Sequence, residues 1–356
     1  MGQSGYADAK HEGLTVTTPP LRAAKIFTFY ALLPAAAIFA SITAGRFDIS
    51  LTDLFELFRI KALRLPIGGY KVIDTVVFHV RLPRIFGAAL IGSALSLSGA
   101  AYQCIFRNPM VSPGILGVAN GAGFGAALGI LFSMNSGGVQ AMAFLFGCAA
   151  VAATFVLGST VGKNRNSVLL LVLVGMVIST VFASLISLVK YTADPDDKLP
   201  VITFWLMGSL SSVTMSDIAS VAVPITAGCI PLYVIRWKLN ILSFGEDEAR
   251  SMGVNPKAMR LLVIICSTMI TASAISISGI VGWVGLIIPH ICRMITGPDH
   301  GKLIPFTIVI GAVYMIAVDT LARICASVEM PLGIITSLIG APFFLLLMLG
   351  KREAWQ

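Results

Sequence analysis

The chain has 356 residues, 56% of them hydrophobic and 12% charged, with a formal net charge of +8 and a mean hydropathy of +0.89. Soluble domains carry roughly a quarter charged residues, so this chain has too little polar surface to cover a water-soluble globule. A large soluble helical core would need charged outer faces at helical spacing, and a basic excess on so apolar a background points to topology signals and anionic lipid rather than nucleic acid.

Residues 1–20 are polar and lack the basic-then-apolar order and small-residue cleavage site of a secretory signal, so residues 1–23 read as a disordered tail. No charged residue occurs in 108–162, 167–189 or 261–292. A crossing needs about 20 apolar residues, so the first and third stretches can each hold more than one, with breaks at 135–138 and 276–282. The candidate spans are 24–44, 84–106, 114–133, 139–162, 167–189, 215–236, 258–277, 281–296, 303–322 and 333–350. The expected fold is therefore an all-α polytopic membrane protein with about ten transmembrane helices. An even number puts both termini on one side. Lys163, Arg165, the loop from Arg236 to Arg260 and Lys351-Arg352 share that side, which the positive-inside rule makes the cytoplasm.

Residues 45–84 run against that rule, because seven basic residues there (Arg46, Arg59, Lys61, Arg64, Lys71, Arg81, Arg84) face outward, diluted by Asp48, Asp53, Glu56 and Asp74. An outward basic cluster is a candidate docking surface for an acidic partner. Within it, 51–58 has the spacing of an amphipathic helix at the interface. Residues 199–212 are apolar but short, as in a re-entrant piece. Small residues crowd the second span (Gly87, Gly92, Ser93, Ser96, Ser98, Gly99) and the third (Gly121, Gly123, Gly125, Gly129), and close helix contact in lipid accounts for them. The six cysteines lie in or beside apolar segments without a Cys-x-x-Cys pair and read as packing thiols. The four histidines have no metal-ligand spacing.

Residues 239–254 form the longest loop on the cytoplasmic side. Ser243 and Glu246 match a capping box, Glu246, Asp247 and Glu248 fill a first turn, and Gly253 offers a left-handed stop. Glu246 can pair with Arg250 one turn on, and Asn255-Pro256 restarts the chain into the next span. A stiff, exposed, charged two-turn helix suits transmission of force to a soluble partner; on physics alone a solvated connecting helix fits equally.

The loop closely resembles the coupling-helix loop of the FecCD-like permeases, the ABC importer family for iron-siderophore, haem and vitamin B12 complexes. Further motifs resemble the family in order across about 80–350: Arg81-Leu82-Pro83-Arg84; Asn108-Pro109 with Pro113-Gly114-Ile115-Leu116-Gly117-Val118 and Asn120-Gly121-Ala122; Gly279, Gly282, Gly285-Leu286 and Pro289-His290-x-x-Arg293; Asp319 with Ala322-Arg323; Pro331-Leu332-Gly333; Gly340-Ala341-Pro342. The resemblance implies the type II ABC importer permease fold in a bacterial or archaeal cytoplasmic (inner) membrane, with both termini cytoplasmic. It implies a transmembrane permease domain over 24–350, a coupling loop over 237–257 and a short cytoplasmic tail over 351–356. It also implies a homodimer enclosing the path, two ABC ATPase subunits on the cytoplasmic side, and a periplasmic or lipid-anchored substrate-binding protein, all within membrane lipid.

Carried over residue by residue, the resemblance makes Ser243, Phe244, Gly245, Glu246, Asp247, Glu248, Ala249, Arg250 and Gly253 the ATPase-coupling residues. Arg81, Arg84 and Arg323 become binding-protein docking residues; membrane anchoring is the alternative for Arg81 and Arg84, and an ion pair with Asp319 for Arg323. Asn108 and Met110 match cytoplasmic-gate positions, although Asn108 could equally hold the turn before Pro109. His290 reads as a packing histidine. No Walker loop or catalytic triad occurs, so the chain is expected not to be an enzyme and to bind no cofactor, with ATP and Mg used by the partner ATPase. An ion-coupled secondary transporter is the alternative class, supported by the Asp319/Arg323 pair but lacking matched broken helices in two halves. The expected cargo is an iron-siderophore complex; no residue separates it from haem, cobalamin or an oxyanion.

Overall fold

The computed structural model describes residues 20–161 and 167–350, helical with no strand among them. Helix α1 spans Pro20–Thr43 and α2 spans Leu51–Ala62. The Ser50 hydroxyl caps α2 by accepting from Asp53 N at 3.1 Å. This helix buries Leu54 and Leu57 while Phe55 stays 71% exposed, so it is amphipathic as expected and one turn longer. A short α3 (Lys71–Asp74) passes through a π-helical turn, Thr75–Arg81, directly into α4 (Leu82–Ile105). There follow α5 (Val118–Leu131), α6 (Ser136–Val161), α7 (Ser167–Thr192), α8 (Lys198–Met207), α9 (Met215–Val234), α10 (Arg236–Phe244), α11 (Glu246–Ser251), α12 (Pro256–Ser278), α13 (Val284–Thr296), α14 (His300–Ile324) and α15 (Leu332–Gly350).

The ten expected crossings correspond to α1, α4, α5, α6, α7, α9, α12, α13, α14 and α15. Helix α1 begins at Pro20, inside the expected 1–23 tail, since proline is tolerated in a first helical turn. Residues 1–19, Lys163, Arg165 and 351–356 lie outside the described residues. Six helical runs among the described residues are long and apolar enough to cross alone, including α6, α7, α9, α12 and α14.

Burial sorts these helices. The best apolar windows of the α4 run and α12 are each 78% buried, whereas those of α7 and α9 are 17% and 28% buried. Helices α4 and α12 therefore form the middle of the bundle, and α7 and α9 its apolar exterior. Small residues set the spacing around α4. A Cβ on Gly92 would overlap the Gly311 carbonyl of α14, and one on Gly99 would overlap the Gly285 carbonyl of α13. Backbones this close supply the packing that apolar burial cannot supply between helices in lipid.

Helix α13 has only 13 residues, about 20 Å at 1.5 Å per residue, against a hydrocarbon core of about 30 Å. Irregular backbone at that depth must be buried in protein or line a cavity. Here the interrupted segments satisfy one another: Ser209 N donates to Ser278 O at 2.8 Å, and Leu332 N to Gly208 O at 2.9 Å. Helix α12 stops at Gly279 with φ 67°, a left-handed position where a Cβ would also overlap Trp205 O. The short apolar stretch expected at 199–212 is α8, ending at this junction.

Candidate functional site

At the bundle face holding the 235–255 loop, α10 buries Leu239 and Leu242, and Cys104 at the end of α4 donates to Leu239 O at 3.2 Å. One turn-forming cluster fixes this helix to the start of α14. Asn240 Nδ2 donates to Asp299 Oδ1 at 2.7 Å, while Asn240 Oδ1 accepts from His300 N at 2.7 Å and pairs with His300 Nδ1 at 2.9 Å. Asp299 is the N-cap of α14 and accepts from Gly301 N at 2.9 Å. The hydrogen bonds from Asn240 and from Gly301 hold its carboxyl below the usual range, because they favour the charged form.

The expected capping box does not form. Ser243 lies in the last turn of α10 with its hydroxyl donating back to Leu239 O at 3.1 Å, and Gly245 (φ 141°) takes the N-cap position of α11. Serine can bond its own helix as readily as cap the next, and the break falls at Gly245 because its φ of 141° is one that side-chain-bearing residues rarely adopt. The rest of the loop follows the sequence. Glu246, Asp247 and Glu248 fill the first turn of α11. Gly253 has φ 77°, with Gly253 N donating to Arg250 O at 3.0 Å and Val254 N to Ala249 O at 2.8 Å. That pattern is a Schellman stop.

Arg250 lies 3.6 Å from Glu246 and 3.4 Å from Asp247, but the closer partner of Glu246 is Arg260 on α12, which sequence spacing missed. Asn255 caps α12 by accepting from Lys257 N and Ala258 N. Ala249 is fully buried, whereas Phe244 is 67% exposed and the Asp247 side chain 92% exposed. The loop is thus a rigid acidic knuckle with an apolar Phe244 beside it.

Next to it opens a cavity of about 970 Å³ lined by Asn108, Met110, Ser243, Phe244, Arg107 and Arg293, among others. Asn108 Oδ1 accepts from Met110 N at 2.9 Å, holding the turn after α4, and Met110 is 45% exposed. Arg293 donates to Gln103 Oε1 at 3.0 Å, and Gln103 Nε2 to Leu286 O at 3.2 Å. The two expected gate residues and the end of α10 therefore share one space. Among the described residues its arginines face one carboxylate, that of Asp299, whose Oδ1 is already engaged.

At the opposite face the structure corrects the expectation that Arg81, Arg84 and Arg323 stand at the surface. They are 3%, 2% and 6% exposed. Arg84 bonds Asp319 Oδ1 at 2.9 Å and both oxygens of Glu329 at 2.8 and 2.9 Å. Arg323 lies 3.3 Å from Asp319, the ion pair foreseen as its alternative, and donates to Ala44 O at 3.0 Å and Ser41 O at 3.1 Å. Arg81 donates to Ile42 O, to Thr43 O at 3.2 Å and to Phe47 O at 2.5 Å. The reason is the end of α1, whose last carbonyls have no intrahelical partner; Arg81 and Arg323 supply the donors. Three more residues of the outward basic cluster are paired, with Lys61 on Asp74 at 2.7 Å, Arg59 on Glu56 at 3.1 Å and Arg46 on Ala326 O at 2.9 Å, while Arg64 and Lys71 stay exposed. Sequence reasoning missed Ser41 and Glu329. Glu329, with a side chain 32% exposed, is the network's acid nearest solvent.

A bundle of full and interrupted apolar helices, with an acidic knuckle beside a cavity at one end, is the architecture of a multi-pass membrane protein, and its likeness to known proteins places it among the membrane subunits of ABC importers. The FecCD transport family's sequence profile matches residues 32–350, and the chain belongs to that family. It is 40% identical over 320 residues to the molybdate import system permease protein MolB of Haemophilus influenzae, covering 90% of this chain and 94% of that one. It is 36% identical over 280 residues to a probable iron chelatin transport system permease of Helicobacter pylori, covering 79% and 84%. A solved inward-facing metal-chelate type ABC transporter superposes with a TM-score of 0.82 at 38% identity, covering 92% of this chain and all of that one. The protein is thus a multi-pass permease subunit, not itself an enzyme, that works with an ATPase and a binding protein.

Proposed function

We propose that two copies of this chain enclose a translocation path, with both termini and α11 on the cytoplasmic side and a substrate-binding protein on the other. Each α11 seats in one of two ABC ATPase subunits, which handle ATP and its magnesium; this chain binds no cofactor. The observation that carries the reading is the acidic knuckle at Glu246–Ser251, held rigid by its Schellman stop and by Arg260, beside the cavity holding Asn108 and Met110. A solvated linker would need none of that bracing.

The cargo is a small anionic metal species. Among the described residues, Arg107 and Arg293 line the cavity with a single carboxylate, Asp299, whose Oδ1 is already engaged, and a cavity with an excess of one sign of charge favours the opposite one. A molybdate-like oxyanion is the first candidate, because the Haemophilus influenzae permease for molybdate matches nearly end to end. An iron-siderophore chelate, the expectation from sequence, is the second, favoured by the iron chelatin relative. Haem and cobalamin rank below both. Proteoliposomes holding the permease, its ATPase and its binding protein distinguish them: saturable ATP-dependent uptake of radiolabelled molybdate, outcompeting a ferric siderophore, supports the oxyanion, and the reverse order supports the chelate. Uptake of neither would overturn the anionic reading.

A further inference from the structure

We infer that Asn240 is a positioning residue for energy coupling: it clamps α10, and with it the α11 knuckle, to the first turn of α14, so that loop and helix move as one body. The inference rests on the reading of α11 as the ATPase contact.

The clamp uses most of what an asparagine side chain can offer. Its carbonyl accepts from the backbone and ring of His300, and its amide donates to Asp299. Asp299 in turn caps α14 through Gly301 N, while its own carbonyl accepts from Lys302 N at 3.1 Å and Leu303 N at 2.8 Å. A displacement of α10 is therefore delivered to the helix terminus itself and not to a loop. Beyond that terminus α14 continues as one helix from His300 to Ile324, with Pro305 in its second turn. It lies against α4 with Gly311 and Gly92 in backbone contact and with Ser93 Oγ donating to Ile308 O at 3.0 Å.

Its far end carries Asp319, bonded to Arg84 of α4, and Arg323, bonded to the end of α1. The helical rise puts Asp319 roughly 30 Å from Asp299 along the axis. One strut thus joins the coupling loop at one face to the buried ion network at the other, with α4 locked alongside. The physical warrant is a continuous packed element whose two ends are each fixed by hydrogen-bonded polar groups, not mere intermediacy in space. Neither a solvated linker nor a loop resting on lipid would require a three-way side-chain clamp at this point.

The test uses the full permease–ATPase complex in proteoliposomes, with cargo moved per ATP hydrolysed as the readout. N240D places a carboxylate against Asp299 and should lower that ratio about tenfold, the scale of losing a charge-assisted hydrogen bond, with the complex mass unchanged and the basal ATPase rate within about twofold of wild type. The double variant N240D/D299N removes the carboxylate–carboxylate contact that N240D creates. Asp299 Oδ1 alone takes both Asn240 Nδ2 and Gly301 N, so an amide at 299 satisfies one of these contacts and not both, while the new carboxylate at 240 still accepts from His300 N. It should recover part of the lost ratio, a rescue that a general packing defect would not show. N240A, measured alongside, removes the clamp without added charge and should also lower the ratio. Wild-type coupling in an assembled N240D complex overturns the inference, as does uncoupling that the double variant leaves in place or failure of both single variants to assemble. Charge reversal of Glu246 and Glu248 tests the underlying reading separately: if it leaves ATPase association intact, α11 is not the contact, whatever Asn240 does.

Discussion

Arg84 meets Asp319 across 235 positions of sequence, with Nη2 2.9 Å from Oδ1 and the two side chains 3% and 1% exposed. Asp319 is also held by Arg323 at 3.3 Å, and Arg84 also by Glu329. Arg84, Arg323, Asp319 and, at the solvent edge, Glu329 thus form one ion network that binds α4, α14 and the end of α1, where Arg81 adds a third buried guanidinium on the last carbonyls.

Removing one member leaves a buried charge without its partner. Arg84→Ala should destabilise the permease by about 3–5 kcal/mol, and Arg84→Glu by more. The expected result is loss of folded, monodisperse protein in detergent, read by thermal unfolding on size exclusion, and not a selective loss of binding-protein affinity. Glu329→Gln, at the solvent edge of the network, should cost about 1 kcal/mol or less. A stable Arg84→Glu permease that merely binds its partner weakly would restore the docking role.

Glycine contacts around α4 give a second expectation. Gly99→Val must displace the Gly285 carbonyl. It should abolish folded yield, at a cost exceeding the ~1–3 kcal/mol of ordinary overpacking because the neighbour is backbone. Around Gly253 an added Cβ would meet nothing within 4 Å, so the obstacle there is only its left-handed φ of 77°. Gly253→Val should therefore leave the membrane fold intact, cost about 1–2 kcal/mol locally, and lower transport per ATP.

The Glu246–Arg260 contact should matter more than the i,i+4 pair with Arg250. Arg260→Gln frees α11 from α12, and Arg250→Gln removes an exposed pair worth about 0.3–0.5 kcal/mol. Binding of detergent-solubilised permease to its ATPase, followed by surface plasmon resonance, should weaken several-fold for Arg260→Gln and hardly change for Arg250→Gln. Equal effects would contradict the bracing role of Arg260.

An anionic cargo predicts that Arg293→Gln lowers uptake while leaving binding-protein affinity unchanged, because in the proposed orientation the cavity lies at the end of the bundle away from the binding protein. Comparison of molybdate uptake rates at saturating binding protein measures this, with a fall of about tenfold expected from loss of one charge contact.

Much of this was legible in the sequence. Apolar runs and their breaks placed ten helices within a few residues, because lipid forces apolarity on every span; six helical runs among the described residues are long and apolar enough to cross alone. The Gly253 stop, the Glu246–Arg250 pair and the helix restart at Asn255-Pro256 were readable because each depends on residues within one turn. Ser243 failed for the same reason: a hydroxyl has two local choices, and Gly245 decided between them. The three arginines misled at longer range. A charge-bias rule sees only that Arg81 and Arg84 lie in an outward loop, whereas the end of α1 that Arg81 caps and the Asp319 that Arg84 meets come from distant positions. No local pattern foretold Asn240 meeting Asp299, 59 residues away.

The measurement closest to the central claim is cargo accumulation in proteoliposomes containing this permease, with its ATPase and binding protein supplied or withheld. Accumulation is expected only when both partners and ATP are present, and it should be insensitive to dissipation of ion gradients. Accumulation driven by an ion gradient across vesicles holding the permease alone would contradict that claim.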